Sequence, residues 1–276
     1  MTSRTVLFRF GLKALALALL AAFSVLALGQ VHDSWWFQDS AAYWGAAMRL
    51  REGEPLYPML VSQDASSVYR YAPWFAFSWV PLTLLPETLV LAMWTLGMGA
   101  AASYCAYVPL RHRSAAGVAL ALVAVAMLLP AAASGNVQPL IVAALLWGAD
   151  RQSGPVWIAA AASLKAAPIL LIAVFLGRRQ WWRAAITIAV TALLVVPMLL
   201  FDLDHYPMAA GAATGPIATA PALAIAAGLT ALAVGLARTP YGWLAGAAAV
   251  MLAIVRWSYY QPSLLLIGLA SRRSPE

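Results

Sequence analysis

Tyr71-Ala72-Pro73-Trp74-Phe75-Ala76-Phe77-Ser78-Trp79-Val80-Pro81-Leu82-Thr83-Leu84-Leu85-Pro86 is the stretch on which the topology turns. Its apolar run, residues 74–85, is punctuated by Pro73, Pro81 and Pro86. Proline removes a backbone donor and its ring clashes with the preceding helical turn, so this run suits a bent, re-entrant segment better than a straight span. A bilayer-crossing helix takes about 20 predominantly apolar residues. Whether 74–85 crosses decides which side of a membrane every later loop occupies.

The surrounding chain is lipid-soluble. With 276 residues, 63% hydrophobic content, only 10% charged residues and a mean hydropathy of +0.81, it lies far outside the range of soluble domains. The composition predicts an all-α, polytopic integral membrane protein. Apolar runs fall at about 10–29, 74–85, 87–108, 115–133, 137–149, 154–165, 167–177, 183–201, 219–237, 241–255 and 258–271. If 74–85 dips in and returns, and the chain also turns at Lys165–Pro168, then Arg111 and Arg113, Arg151, Arg178, Arg179 and Arg183, Arg238, and Arg272 and Arg273 share the cytoplasmic side with the N-terminal Arg4, Arg9 and Lys13. A full crossing by 74–85 would put Arg111 and Arg113 outside, against the positive-inside rule.

The favoured arrangement has about ten transmembrane helices, both ends cytoplasmic, an interfacial helix in the first outer loop (30–73) and a short re-entrant segment, as a single domain over 1–276. Leu15 to Leu28 is expected as a retained first helix, because Gly29-Gln30-Val31-His32 is a poor small-residue cleavage site. The formal charge of +7 is scattered in ones, twos and threes between apolar runs, which fits topogenesis and argues against a nucleic-acid partner. The single Cys105 excludes a disulfide framework.

The polar groups that remain gather on the expected outer face. Asp39, Tyr43, Ala46 or Ala47, and Leu50 recur with helical spacing, and Gly53 is a natural helix stop. Asp39 then has two compatible roles: an N-cap accepting backbone N–H groups, or an acid facing a substrate. Trp35, Trp36 and Trp44 suit a helix at headgroup level. Asn136 and Gln138, in the turn Ser134-Gly135-Asn136-Val137-Gln138-Pro139, could orient substrate hydroxyls or cap helix ends. Lys165 interrupts the run Trp157–Phe175; an ionisable residue there is costly, so it either meets a lipid phosphate or snorkels to the interface.

Arg70, Tyr71 and Arg256 are candidate anion or sugar contacts. Trp257, Tyr259 and Tyr260 read first as an interfacial belt. Asp33 and Asp64 are weaker acid candidates. Asp202-Leu203-Asp204-His205-Tyr206 is either a solvated loop or a cation site, without the spacing of a strong metal motif. His32, His112 and His205 are scattered, and P-loop, GxGxxG and zinc spacings are missing, so no cofactor is expected; a divalent cation has no motif behind it. These features leave open an outer-face transferase, a transporter or lipid flippase, and a non-catalytic truncated paralogue.

One ordered set of motifs goes further. Asp39…Tyr43…Ala46-Ala47…Gly53…Leu56-Tyr57, Tyr71-Ala72-Pro73-Trp74, Pro81-Leu82…Leu85-Pro86…Trp94, Gly135-Asn136-Val137-Gln138, Ser163-Leu164-Lys165-Ala166-Ala167-Pro168 and Arg178-Arg179-Gln180-Trp181-Trp182 together resemble the membrane-embedded family 87 glycosyltransferases, of the type C glycosyltransferase fold. That family usually has Tyr-Pro-Pro where this chain has Tyr71-Ala72-Pro73, and carries its two turn amides in the opposite order. The resemblance implies transfer of mannose or a related hexose from a polyprenyl-phosphate sugar to a glycolipid or glycan, at the extracytoplasmic face of the plasma membrane. The first outer loop of that family supplies the catalytic acid, which falls on Asp39 as general base; from the residues themselves, Lys165 with Arg70 or Arg256 is expected on the donor phosphate, and Tyr43, Tyr71, Asn136 and Gln138 around the sugar or acceptor.

Overall fold

The computed structural model describes residues 37–58, 68–111, 114–204, 206, 220–254 and 258–272, and every regular element among them is helical. The expected first crossing at 10–29 lies outside the described residues. Helix α1 is Gln38–Glu52. Helix α2, Pro73–Trp79, runs directly into a 3-10 turn, Val80–Leu84. Long helices follow: α3, Glu87–Leu110, and α4, Ala115–Ala133. Shorter ones come next: α5, Gln138–Gly148; α6, Gly154–Leu164; and α7, Ile172–Gly177, entered through the 3-10 turn Ala167–Leu171. Helix α8, Trp181–Val195, extends as a 3-10 turn to Leu200; α9 is Ala220–Gly235, α10 is Gly242–Ala253, and a final 3-10 stretch covers Gln261–Arg272.

The proline-rich stretch forms as its composition dictates. Pro73 occupies the first turn of α2, where a missing N–H costs nothing, and Pro81 forces the switch to 3-10 geometry. Pro86 then sits in extended backbone and restarts the chain as α3. Residues 73–84 rise only about 20 Å at helical pitch, against a hydrocarbon core of about 30 Å. They do not cross a bilayer by themselves.

A second break has the same origin. Helix α6 stops at Lys165, whose backbone is extended (φ −142°, ψ 86°), and Pro168 lies within the following 3-10 turn. Asp150, ahead of α6, pairs with Arg178, just past α7, and the Arg183 guanidinium donates to the Arg151 carbonyl. The chain therefore leaves one end of the bundle and returns to it, with Lys165 at the far apex. Gly177 lets α7 pack closely on the helix Ala220–Gly235, since a Cβ there would collide with the Val234 carbonyl oxygen.

Among the described residues, three helices are long and apolar enough to cross a membrane, Glu87–Leu110, Ala115–Ala133 and Trp181–Leu200, and six shorter apolar helices of 10–17 residues accompany them. The bundle has two distinct ends. One gathers the loops after α3, α5, α7 and α9, with Arg111, Arg151, Arg178, Arg179 and Arg238. The other holds α1, the Ser134–Gln138 turn and Lys165.

Helix α1 packs one face along its length against the bundle. Tyr43, Ala46 and Ala47 are buried inside the protein, and Gly53 closes it at φ 74°. The small alanines let its backbone approach the bundle, and Tyr43 meets Tyr71, Phe75, Trp79 and Trp94 edge-on at centroid distances of 5.0–6.0 Å. Such aromatic pairs add to the burial energy itself. A contiguous buried cluster runs from Phe37 to Ile267.

Candidate active site

Helix α1 begins without a side-chain cap, and Phe37 at the N-cap position sits in the left-handed region at φ 63°. Its orphan donors are met from another helix. Phe37 N–H donates to the Ala133 carbonyl (3.1 Å), and the N–H groups of Asp39 and Ser40 donate to the Ser134 carbonyl (2.8 and 3.4 Å). This close approach requires glycine next in line. Gly135 has φ +75°, and a Cβ there would fall 2.4 Å from Ser40 Oγ. Trp94 Nε1 of α3 fixes the same turn by donating to the Gly135 carbonyl at 2.7 Å.

Asp39 is consequently not the N-cap, and its carboxylate is free of that task. Oδ2 accepts from Ser134 Oγ at 2.9 Å and from Asn136 Nδ2 at 3.2 Å. Among the described residues nothing donates to Oδ1. Asn136 Nδ2 also reaches Tyr260 OH at 3.2 Å, while its Oδ1 accepts the Gln138 N–H at 2.9 Å, capping α5. The bond to the Gln138 N–H realises the helix-capping role expected of Asn136.

Lys165 joins the same network. Its Nζ donates to Gln138 Oε1 at 2.9 Å and to Asn136 Oδ1 at 3.4 Å, and stands 4.7 Å from the Tyr260 ring centroid. All of these partners are neutral. Among the described residues the only ion pair within 4 Å is Arg178–Asp150. Asn136 therefore bridges a carboxylate and an ammonium without letting them neutralise each other.

Between them lies a cavity of about 400 Å³ lined by Asp39, Tyr43, Arg70, Tyr71, Asn136 and Lys165, and also by Tyr260 and Gln261. The irregular 68–72 segment on one wall is held by tyrosine hydroxyls. Tyr206 donates to the Arg70 carbonyl, Tyr57 to the Tyr71 carbonyl and Tyr69 to the Ala72 carbonyl, each at 2.8 Å. Tyr43 OH donates to Tyr71 OH at 3.3 Å. Burial first, and the nearby Asp39 carboxylate as well, push both phenols above their ordinary range, so they stay protonated and neutral.

Of the residues singled out by sequence, Asp39, Tyr43, Arg70, Tyr71, Asn136 and Lys165 line the cavity, and Gln138 joins them through Lys165. Arg256 lies outside the described residues, as do Asp33, Asp64 and His205. Asp202 accepts the Asp204 N–H at 2.9 Å in an exposed turn, and among the described residues no three metal-ligating side chains cluster. Sequence reasoning missed Ser134 and Gln261, and took Tyr260 for an interfacial aromatic. The usable signals were a serine closing an apolar helix before Gly-Asn, and a glutamine opening the last apolar run.

A family model, Glycosyltransferase family 87, matches residues 69–271. No curated protein and no solved structure matches the chain.

Proposed function

Because the chain belongs to glycosyltransferase family 87, and is thereby a membrane glycosyltransferase, we propose that it moves mannose or a related hexose from a polyprenyl-phosphate sugar to a glycolipid or glycan acceptor, with inversion at the anomeric carbon. The observation that carries this reading is an ammonium and a carboxylate on one cavity, Lys165 and Asp39, not paired with an opposite charge among the described residues. Among the described residues the ammonium meets only amide oxygens and a ring face, and a lipid phosphate supplies a counter-charge. A carboxylate with one oxygen held by Ser134 and Asn136, and no donor to the other among the described residues, is suited to take a proton.

The acceptor hydroxyl attacks the anomeric carbon as Asp39 Oδ1 removes its proton. The bond from that carbon to the phosphate oxygen breaks, and its electron pair leaves with polyprenyl phosphate. Lys165 offsets the charge gathering on the departing phosphate, with Arg70 and Arg256 assisting. Ser134 and Asn136 hold Asp39 Oδ2 and so aim Oδ1. Tyr43 and Tyr71, kept neutral, present a hydroxylated aromatic wall to the sugar or acceptor, and Gln138 orients Lys165.

The orientation follows from charge. Arg111, Arg151, Arg178, Arg179 and Arg238 collect at the end opposite the cavity, which the positive-inside rule assigns to the cytoplasm. The cavity then faces outward in the plasma membrane. Nucleotide sugars are cytosolic, so a transferase working there needs a lipid-carried donor. The test is to incubate purified protein with radiolabelled polyprenyl-phosphate hexoses and host membranes, and to identify the labelled product. Transfer from the mannosyl donor to a lipid or glycan is expected; absence of transfer from every polyprenyl-phosphate sugar overturns the reading.

A further inference from the structure

Tyr260 stands just ahead of the final 3-10 stretch and lines the cavity. Its backbone is pinned there. The Tyr260 carbonyl accepts from the Ser263 N–H at 3.1 Å and from Ser263 Oγ at 2.6 Å, and Ser263 is buried. The side chain is fixed at its tip as well, because the hydroxyl accepts from Asn136 Nδ2 at 3.2 Å. Between these two anchors the ring presents its face to Lys165 Nζ, 4.7 Å from the centroid.

Lys165 needs such a hold. It follows α6 in extended backbone, and its charge rides on a flexible four-carbon stem. A carboxylate would fix the ammonium but cancel its charge. An aromatic face attracts it through the ring quadrupole and leaves the charge for a ligand. The two amide oxygens that also meet Nζ, from Gln138 and Asn136, are neutral in the same way. Asn136 supplies one of those oxygens and anchors the Tyr260 hydroxyl, so ring and amide are set against each other by a single contact.

We propose that Tyr260 is a positioning residue whose ring face holds the Lys165 ammonium in place for the donor phosphate without cancelling its charge. This rests on the reading of Lys165 as the partner of the lipid phosphate. The ring carries the effect, and the hydroxyl fixes where the ring lies.

The experiment measures donor kcat/KM at saturating acceptor, with the polyprenyl-phosphate hexose that wild type uses. The full-length protein carries Tyr260→Phe, Tyr260→Leu, Lys165→Ala, or the last two together. Tyr260→Phe keeps the ring and is expected to lose about threefold. Tyr260→Leu loses the ring and is expected to lose about tenfold or more. Once Lys165→Ala is present, Tyr260→Leu should cost nothing further. Fluorinated phenylalanines at position 260 drain the ring's negative face while nearly keeping its shape, so donor kcat/KM should fall with each added fluorine. That series carries the test if the Leu variant fails to fold. If Tyr260→Leu costs the same factor with and without Lys165, or fluorination leaves the phenylalanine value unchanged, Tyr260 is structural and the inference is overturned while the donor reading stands. If Lys165→Ala leaves donor kcat/KM unchanged, or wild type transfers from no polyprenyl-phosphate sugar, the donor reading and the inference fall together.

Discussion

Asp150 and Asp39 are both carboxylates beside helix ends, and the chain uses them in opposite ways. Asp150 accepts from Arg178 and from Trp243 Nε1 (3.1 Å), while Arg178 Nε donates to the Ala237 carbonyl at 2.7 Å. That cluster closes on itself and ties α5, α7 and α10 together at the basic end of the bundle. Among the described residues Asp39 takes only neutral donors, and Lys165 meets the oxygen of the same Asn136 amide whose nitrogen holds Asp39. A carboxylate that meets its cation stabilises a fold. One kept from its cation by an amide, on the wall of a cavity, is available to a substrate.

The contrast can be broken from either end. Short of the acid itself, the largest effect is expected for Lys165→Ala. Donor kcat/KM should fall by about 10²–10³-fold, because the charge developing on the phosphate loses its offset. Saturation with acceptor should change little. Equal weakening towards donor and acceptor would instead make Lys165 a structural prop for the hairpin apex. At the other end, Asp150→Asn should leave transfer per folded molecule intact. It removes a partly exposed ion pair and weakens the Trp243 contact, a loss of about 1–2 kcal/mol after allowance for solvent screening. The measurement is a thermal unfolding midpoint beside an assay normalised to folded protein. A catalytic loss with an unchanged midpoint would mean that the two ends are not functionally separate.

How much of this could be read in the chain depends on whether the signal was local. Pro73, Pro81 and Pro86 act on their own turns, so the broken segment was legible. Lys165 followed by Pro168 is local too, and the apex forms where the pattern put it. Asp39 was legible as a residue of interest but not in its contacts. Adjacent donors predict an N-cap, whereas carbonyls from the end of α4, about 95 residues along, take those donors instead. Tyr260 was hidden for the same reason. An aromatic near an apolar run is commonplace, and its partner Asn136 is 124 residues away. Gln261 carried even less signal, since a place on a cavity wall is a property of packing and not of pattern.

The most direct test of the central claim places donor binding and transfer side by side in the Asp39→Asn protein. The amide keeps the shape and the acceptor oxygen for Ser134 but cannot take up the acceptor's proton. Bound polyprenyl-phosphate sugar near the wild-type level, with transfer reduced by at least about 10²-fold, is the predicted result. Turnover at the wild-type rate would contradict the account.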